Sequence, residues 1–225
     1  MATATPKPPA SHDDDQCVEM RLVDWKGYLT MLRLRGERSA PKMIYLDGSL
    51  LLVSPAFPHE FLRKRFGAFV HEVVVGLKIP CIPSGSTTLR QQRERGGVEG
   101  DETYYLASAP RIVGKRKVNL RTDPPPDLAI EVVHTHSARA AIEVYRRLGV
   151  AEVWVCDGQE LQVLVLQHDG RYAASESSAV FPFLKAAEIW DWIDRAGSEY
   201  ETEWMEGVRQ WVRETLVPRV TPKEA

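Results

Sequence analysis

Glu131 stands inside Asp127-Leu-Ala-Ile-Glu131-Val-Val133, a stretch otherwise built from apolar residues. Side chains alternate along an extended strand, so Leu128, Ile130 and Val132 share one face and Asp127, Ala129, Glu131 and Val133 the other. A strand of this composition is expected to be covered by helices, and an unpaired buried carboxylate there costs several kcal/mol. Glu131 therefore needs a positive partner: an Arg, a Lys or a metal ion. Asp127 lies about 13 Å upstream along the strand, too far to share one ion with it. Its expected place is the strand entry, ending the Pro124-Pro125-Pro126 loop. A second group of acids, Glu99, Asp101 and Glu102, precedes Thr103-Tyr104-Tyr105-Leu106. If that strand pairs with the Glu131 strand, one of its carboxylates faces Glu131 at roughly 5 Å. Like charges so close need a bridge. A hard dication such as Mg²⁺ supplies one, because it takes one or two protein carboxylates and fills its shell with water and phosphate oxygens. Alternation groups Asp101 with Glu99 and Thr103 and puts Glu102 on the opposite face, without choosing between them. The competing arrangement is a solvated acidic turn, with Glu131 neutralised by an arginine.

Periodicity predicts the elements that must position these acids. Apolar residues between Val18 and Leu34 recur loosely at helical spacing, and Gly36 can end that helix. Residues 43–46 and 49–53 are strand-like and flank Asp47-Gly48, a dipeptide suited to a two-residue hairpin turn. Pro58-His59-Glu60 opens an amphipathic helix whose apolar stripe runs through Leu62, Phe66, Phe69, Val70, Val73, Val74 and Leu77. Extended stretches follow at 86–90, 98–106 and 127–133. Ser137 can cap a helix through Tyr145 to Leu148, and strands at 152–156 and 161–166 meet near Asp157-Gly158. Trp190, Trp192, Trp204 and Trp211 read as packing residues on C-terminal helices. This order predicts an α/β (α+β) arrangement around one central mixed β-sheet flanked by helices.

The chain has 225 residues with 29 Lys and Arg against 31 Asp and Glu, a formal net charge of −2. Any nucleic-acid contact must therefore come from a local patch; the basic segment Arg111, Lys115, Arg116, Lys117 and Arg121 is one candidate, and a solvated loop is the alternative. Cys17, Cys81 and Cys156 are widely spaced and form no C-x-x-C pair, which argues against a disulfide framework or zinc knuckle and for a reducing cytoplasm. There is no apolar run of membrane-spanning length and no secretion-signal core. G-x-S-x-G and phosphate-loop motifs are absent. His134 and His136 read as polar residues at a strand end. Composition divides the chain into a disordered tail at 1–16, a folded domain at 17–190 and a helical extension at 191–225.

Five motifs stand in an order that resembles the Uma-two family of putative restriction endonucleases: His59-Glu60; Gly85-Ser86-Thr87-Thr88-Leu89-Arg90; Glu99-Gly-Asp101-Glu102-Thr-Tyr-Tyr105; Pro125-Pro-Asp127-Leu-Ala-Ile-Glu131-Val-Val133; and Ile142-Glu-Val-Tyr145-Arg-Arg-Leu-Gly149-Val-Ala-Glu152-Val-Trp154. The resemblance spans about residues 20–190. It implies the restriction-endonuclease-like fold of the PD-(D/E)xK nuclease superfamily and hydrolysis of DNA phosphodiester bonds with Mg²⁺ or Mn²⁺. By position it makes Asp101 and Glu131 the metal-binding acids and Glu60 an assisting acid on the preceding helix. The superfamily's lysine has no counterpart: Val133 and Ala141 occupy its two usual places, and the nearest cation is Arg139, which can stabilise phosphate charge but does not lose its proton. Two outcomes follow from that departure. One is a metal-dependent endonuclease using Asp101, Glu131, Glu60 and Arg139. The other is an inactive nuclease-fold module that binds DNA or forms a homodimer, with the Trp-rich C-terminal helices as the seam.

Overall fold

The protein is described by a computed structural model over residues 15–133 and 137–221. The first strand, β1 (Gln16–Met20), lies at a sheet edge, and helix α1 (Trp25–Arg35) starts only after Asp24. Asp24 Oδ1 accepts from Gly27 N at 2.7 Å, satisfying one of the amide donors a helix start leaves over. The helix expected from Val18 is thus a strand and a shorter helix, because residues 16–20 find a backbone partner in residues 50–54. Asp15 and Gln16, which composition assigns to the tail, belong to the fold: Asp15 is buried and Gln16 pairs with Ser54. Residues 1–14 lie outside the described residues.

β2 (Lys42–Leu46) and β3 (Ser49–Ser54) form the expected hairpin. Asp47 and Gly48 have φ of 50° and 95°, the left-handed pair that a two-residue type I′ turn requires. Helix α2 (Phe57–Gly76) buries Phe66, Phe69, Val70 and Val73. β4 (Ile82–Pro83), β5 (Thr88–Gln91), β6 (Gly96–Glu99) and β7 (Glu102–Tyr105) follow. After the short α3 (Ala109–Ile112) come β8 (Leu128–Val132), α4 (Ser137–Leu148), β9 (Glu152–Cys156), β10 (Leu161–Leu166) and β11 (Tyr172–Ser175). The described chain ends in α5 (Ala186–Arg195), a 3-10 turn at Ala196–Ser198, α6 (Glu201–Trp211), a π-helical segment at Val212–Leu216, and α7 (Val217–Val220).

The architecture is mixed α/β, but its strands make two sheets where periodicity suggested one. An antiparallel sheet runs β1-β3-β2-β6-β5, and a mixed sheet runs β11-β10-β9-β8-β7-β4, with β8 parallel to β9. The cause lies in residues 98–106, which read as one strand. The chain breaks at Gly100-Asp101, sending β6 into the first sheet and β7 into the second. Polar anchors hold both sides of the break. Glu99 receives the Arg35 guanidinium on both oxygens and Thr88 Oγ1 at 2.5 Å, and Asp101 is tied to Lys42 and His59.

Both faces of β8 are covered, as its composition predicts. Leu128, Ile130 and Val132 pack with Phe66, Val70, Trp154 and Phe181 under α2, whereas Ala129 packs with Ala141, Val144 and Tyr145 of α4. The C-terminal helices close the α2 side. Trp204 is fully buried and its indole N–H donates to Trp192 O at 2.7 Å, while Arg209 of α6 grips the buried Glu72 of α2. Trp192 and Trp204 bury their apolar area inside the chain, the packing role read from the sequence, while Trp190 and Trp211 are partly buried. Trp204→Ala should cost about 3–5 kcal/mol of unfolding free energy, measured by denaturant titration. Among the described residues no helix is long and apolar enough to cross a membrane.

Candidate active site

The pairing of β7 with β8 fixes the separation of the two acids. Glu102 pairs with Ile130 and Thr103 with Ala129, so the position before Glu102 falls opposite Glu131. Asp101 occupies it, fully buried, and its Oδ2 accepts from Val132 N at 2.8 Å. From the other sheet, Lys42 at the start of β2 places Nζ 2.5 Å from Asp101 Oδ1 and 3.9 Å from Glu131 Oε2. His59, in the first turn of α2, bridges Asp101 Oδ1 and Asp15 Oδ2, each at 2.8 Å. Tyr145 of α4 donates its hydroxyl to Glu131 Oε1. Two sheets and two helices thus converge on the break that Gly100 permits.

Burial opposes every charge in this cluster, and the partners decide the outcome. Burial alone would raise the Asp101 carboxyl, but Lys42 and His59 outweigh it and hold that group well below the usual range. At Glu131 burial wins over the attraction of Lys42 and pushes the carboxyl up. His59 is opposed by burial yet raised to about 9 by its bonds to Asp101 and Asp15, so it is an imidazolium at neutral pH. Lys42 is likewise raised, since Glu131 and Asp101 overcome its desolvation. Among the described residues, Asp101 thus meets both cations, Lys42 and His59, and Glu131 faces Lys42.

His59 gives the cluster a pH signature. Its folded-state value lies above the unfolded one, so its contribution is complete below about pH 6.5 and is lost as pH rises through about 9. Unfolding free energy should fall by up to roughly 1 kcal/mol per pH unit across that window. Denaturant titrations of wild type and His59→Gln check this; the variant should show a flatter profile there.

The other acids are placed differently. Glu99 is not part of the cluster: besides Arg35 and Thr88, its Oε2 accepts from Met43 N at 3.0 Å, so it is the acid that an arginine neutralises. Neither Glu99 nor Asp101 lies in a solvated turn. Glu102 faces Arg63 at 3.4 Å on the opposite side. Asp127 stands at the strand entry, accepting from Leu106 N, Ser108 N and Ser108 Oγ at 2.6–2.9 Å. Glu60 stands at the rim, held by Arg63 at 2.8 Å, and lines a cleft of about 220 Å³ with Lys42, Arg63, Ser86, Gly100 and Asp101. Arg139 is exposed in the first turn of α4, and the cation the two acids actually meet is Lys42. His134 and His136 lie outside the described residues.

Sequence reasoning missed Lys42, because a lysine opening a strand is ordinarily solvated. A signal was available in alternation: Lys42 shares a face with Ile44, which packs in the Ala129 and Tyr145 cluster behind Glu131. Asp15 carried no such signal, since it sits in an acidic run beside a Pro-rich segment.

The chain is similar to a protein of known structure, a putative nuclease belonging to DUF820 from Anabaena variabilis ATCC 29413. The two share 12% identity with a TM-score of 0.48, over 80% of this chain and 96% of that one. No curated protein matches the sequence. Residues 25–189, which carry every residue of the cluster apart from Asp15, match the family described as Uma2, putative restriction endonuclease, and the chain belongs to that family.

Proposed function

We propose that the chain is a divalent-metal-dependent DNA endonuclease that hydrolyses phosphodiester bonds, with Asp101 and Glu131 as the carboxylates that hold the metal. The reading rests on the buried meeting of these two acids with one ammonium group, beside a cleft. The donor set fits a hard cation. Among the described residues, the nearest cation to Glu131 Oε2 is Lys42 at 3.9 Å, beyond hydrogen-bond length. No three His, Cys, Asp or Glu among the described residues form a metal-binding group. An ion here would take two protein carboxylates at most and complete its shell from water and phosphate, the habit of Mg²⁺ and Mn²⁺.

When bound, such an ion lowers the pKa of a coordinated water and neutralises charge on the phosphate. The chain's own groups do the remaining work. His59, fixed by Asp15, holds Asp101 in one orientation, and Tyr145 does the same for Glu131. Lys42 supplies the ammonium missing from positions 133 and 141, orienting the attacking water or stabilising phosphate charge. Ala141 itself is fully buried in one cluster with Val144 and Tyr145. Glu60 assists from the rim, and Arg139 stabilises developing phosphate charge.

Calorimetric titration of Mn²⁺ and nicking of supercoiled plasmid test the proposal together. Wild type should bind Mn²⁺ and nick, a chelator should stop the nicking, and Glu131→Gln should weaken Mn²⁺ binding by at least about tenfold. Mn²⁺ bound without nicking would overturn catalysis and leave the DNA-binding module; no Mn²⁺ binding would overturn the metal site.

A further inference from the structure

Four cavities follow one another along β5. The cleft at Asp101 shares Ser39 and Ser86 with a cavity of about 250 Å³ walled by Arg35 and Arg38. That cavity shares Thr87 and Thr88 with a third, of about 460 Å³. The third shares Arg90 and Asn119 with a fourth, of about 740 Å³, closed by Trp25, Arg93 and Arg121. Sharing wall residues in this order, they line up as a trough along residues 86–91, at most roughly 20 Å of extended chain.

Its charge is one-sided. Arg38, Arg90, Arg93 and Arg121 are exposed, and among the described residues none of them makes an ion pair. Of the acids in the wall beyond the cleft, Glu99 is neutralised by Arg35 and only Glu37 is exposed. Exposed arginines without acidic partners on a chain of net charge −2 mark a local anion track. Trp25 is half-buried in the wall of the far cavity. Of the basic segment singled out in the sequence, only Arg121 joins the trough, and Lys115 is paired with Asp123.

We infer that this trough is the binding track for a single strand of nucleic acid, with its backbone on Arg38, Arg90, Arg93 and Arg121 and a base against Trp25, leading one phosphodiester to Asp101. The inference rests on the nuclease reading for its direction, toward the carboxylates. A basic groove with an aromatic face is what a single strand recognises, since the arginines follow the phosphates and any base can stack. Reading a duplex through its major groove calls for a protruding helix or ribbon, and the trough is recessed.

Fluorescence polarisation with a labelled oligothymidylate tests this in excess chelator, so that no cleavage enters the measurement. Arg90→Ala/Arg121→Ala should weaken binding by roughly tenfold or more at low salt, and the slope of log affinity against log salt should become shallower by about 1.4, some 0.7 for each phosphate that no longer meets an arginine. Trp25→Leu, which keeps an apolar side chain against Tyr28 and Tyr45, should weaken it by about fivefold or more. Arg171→Ala/Arg213→Ala, exposed and outside the trough, should bind as wild type. The inference is overturned by no binding of wild type, by equal loss in both double variants, by no loss in Arg90→Ala/Arg121→Ala, or by tighter binding of the matching duplex. Failure here with metal-dependent nicking intact removes only the track. Binding that depends on the trough without nicking removes only the nuclease reading.

Discussion

Lys42→Met should lower the rate of metal-dependent nicking by about 10²–10³-fold, the usual loss on removing one preorganised charge from a reacting centre. It should also reduce unfolding free energy by about 3–5 kcal/mol, because it strips one partner from a buried ion pair. Methionine keeps most of the side chain's length and apolar stem, so packing changes little. What changes is charge: Asp101 and Glu131 lose the ammonium that both face, and Asp101 keeps His59. A divalent ion can offset that deficit where no monovalent salt can. The variant's melting temperature should therefore rise more on adding Mn²⁺ than that of wild type, although its nicking stays low. Thermal melts with and without Mn²⁺, beside a plasmid assay, separate the two roles. A variant that is as stable as wild type and nicks at the wild-type rate would remove Lys42 from both.

The contrast between Lys42 and Glu131 shows what a sequence discloses. Glu131 is conspicuous because it is an acid in an apolar strand, and both flanking periodicities, 128/130/132 and 129/131, point to coverage on each face. The packing of β8 follows them. The hairpin at Asp47-Gly48 was legible for a local reason too, since the turn needs two residues tolerant of positive φ. Non-local facts were hidden. Nothing in residues 98–106 says that Glu99 and Asp101 will be claimed by Arg35 and by Lys42 with His59, drawing the two halves of that stretch into different sheets. The same applies to β1, whose strand state depends on β3 some thirty residues later. Asp101 and Glu131 were placed by motif resemblance, whereas the cation between them arrives from a strand whose own sequence reads as an ordinary hairpin arm.

Gly100→Ala should be the other severe substitution, at about 3 kcal/mol of lost stability, the upper end for overpacking a buried site. The backbone there does not have the positive φ that favours glycine, so the cost is steric. A Cβ would stand 2.3 Å from the Tyr145 hydroxyl and 3.2 Å from both Glu131 Oε1 and Thr103 Cγ2. Tyr145 is fully buried in α4 and bonded to Glu131, so its ring has no open space to enter. Either the break between β6 and β7 opens or Tyr145 lets go of Glu131. Tyr145→Phe alone removes a hydrogen bond to a buried carboxylate and should cost about 1.5–3 kcal/mol. It also removes the atom that Cβ strikes first. Gly100→Ala/Tyr145→Phe should then be less destabilised than the sum of the two by at least about 1 kcal/mol, a coupling that denaturant titrations of all four proteins would measure. Additive losses would mean that Gly100 serves the strand break independently of Tyr145. Coupled losses would mean that the missing side chain at position 100 is what lets the tyrosine reach Glu131 and hold it opposite Asp101.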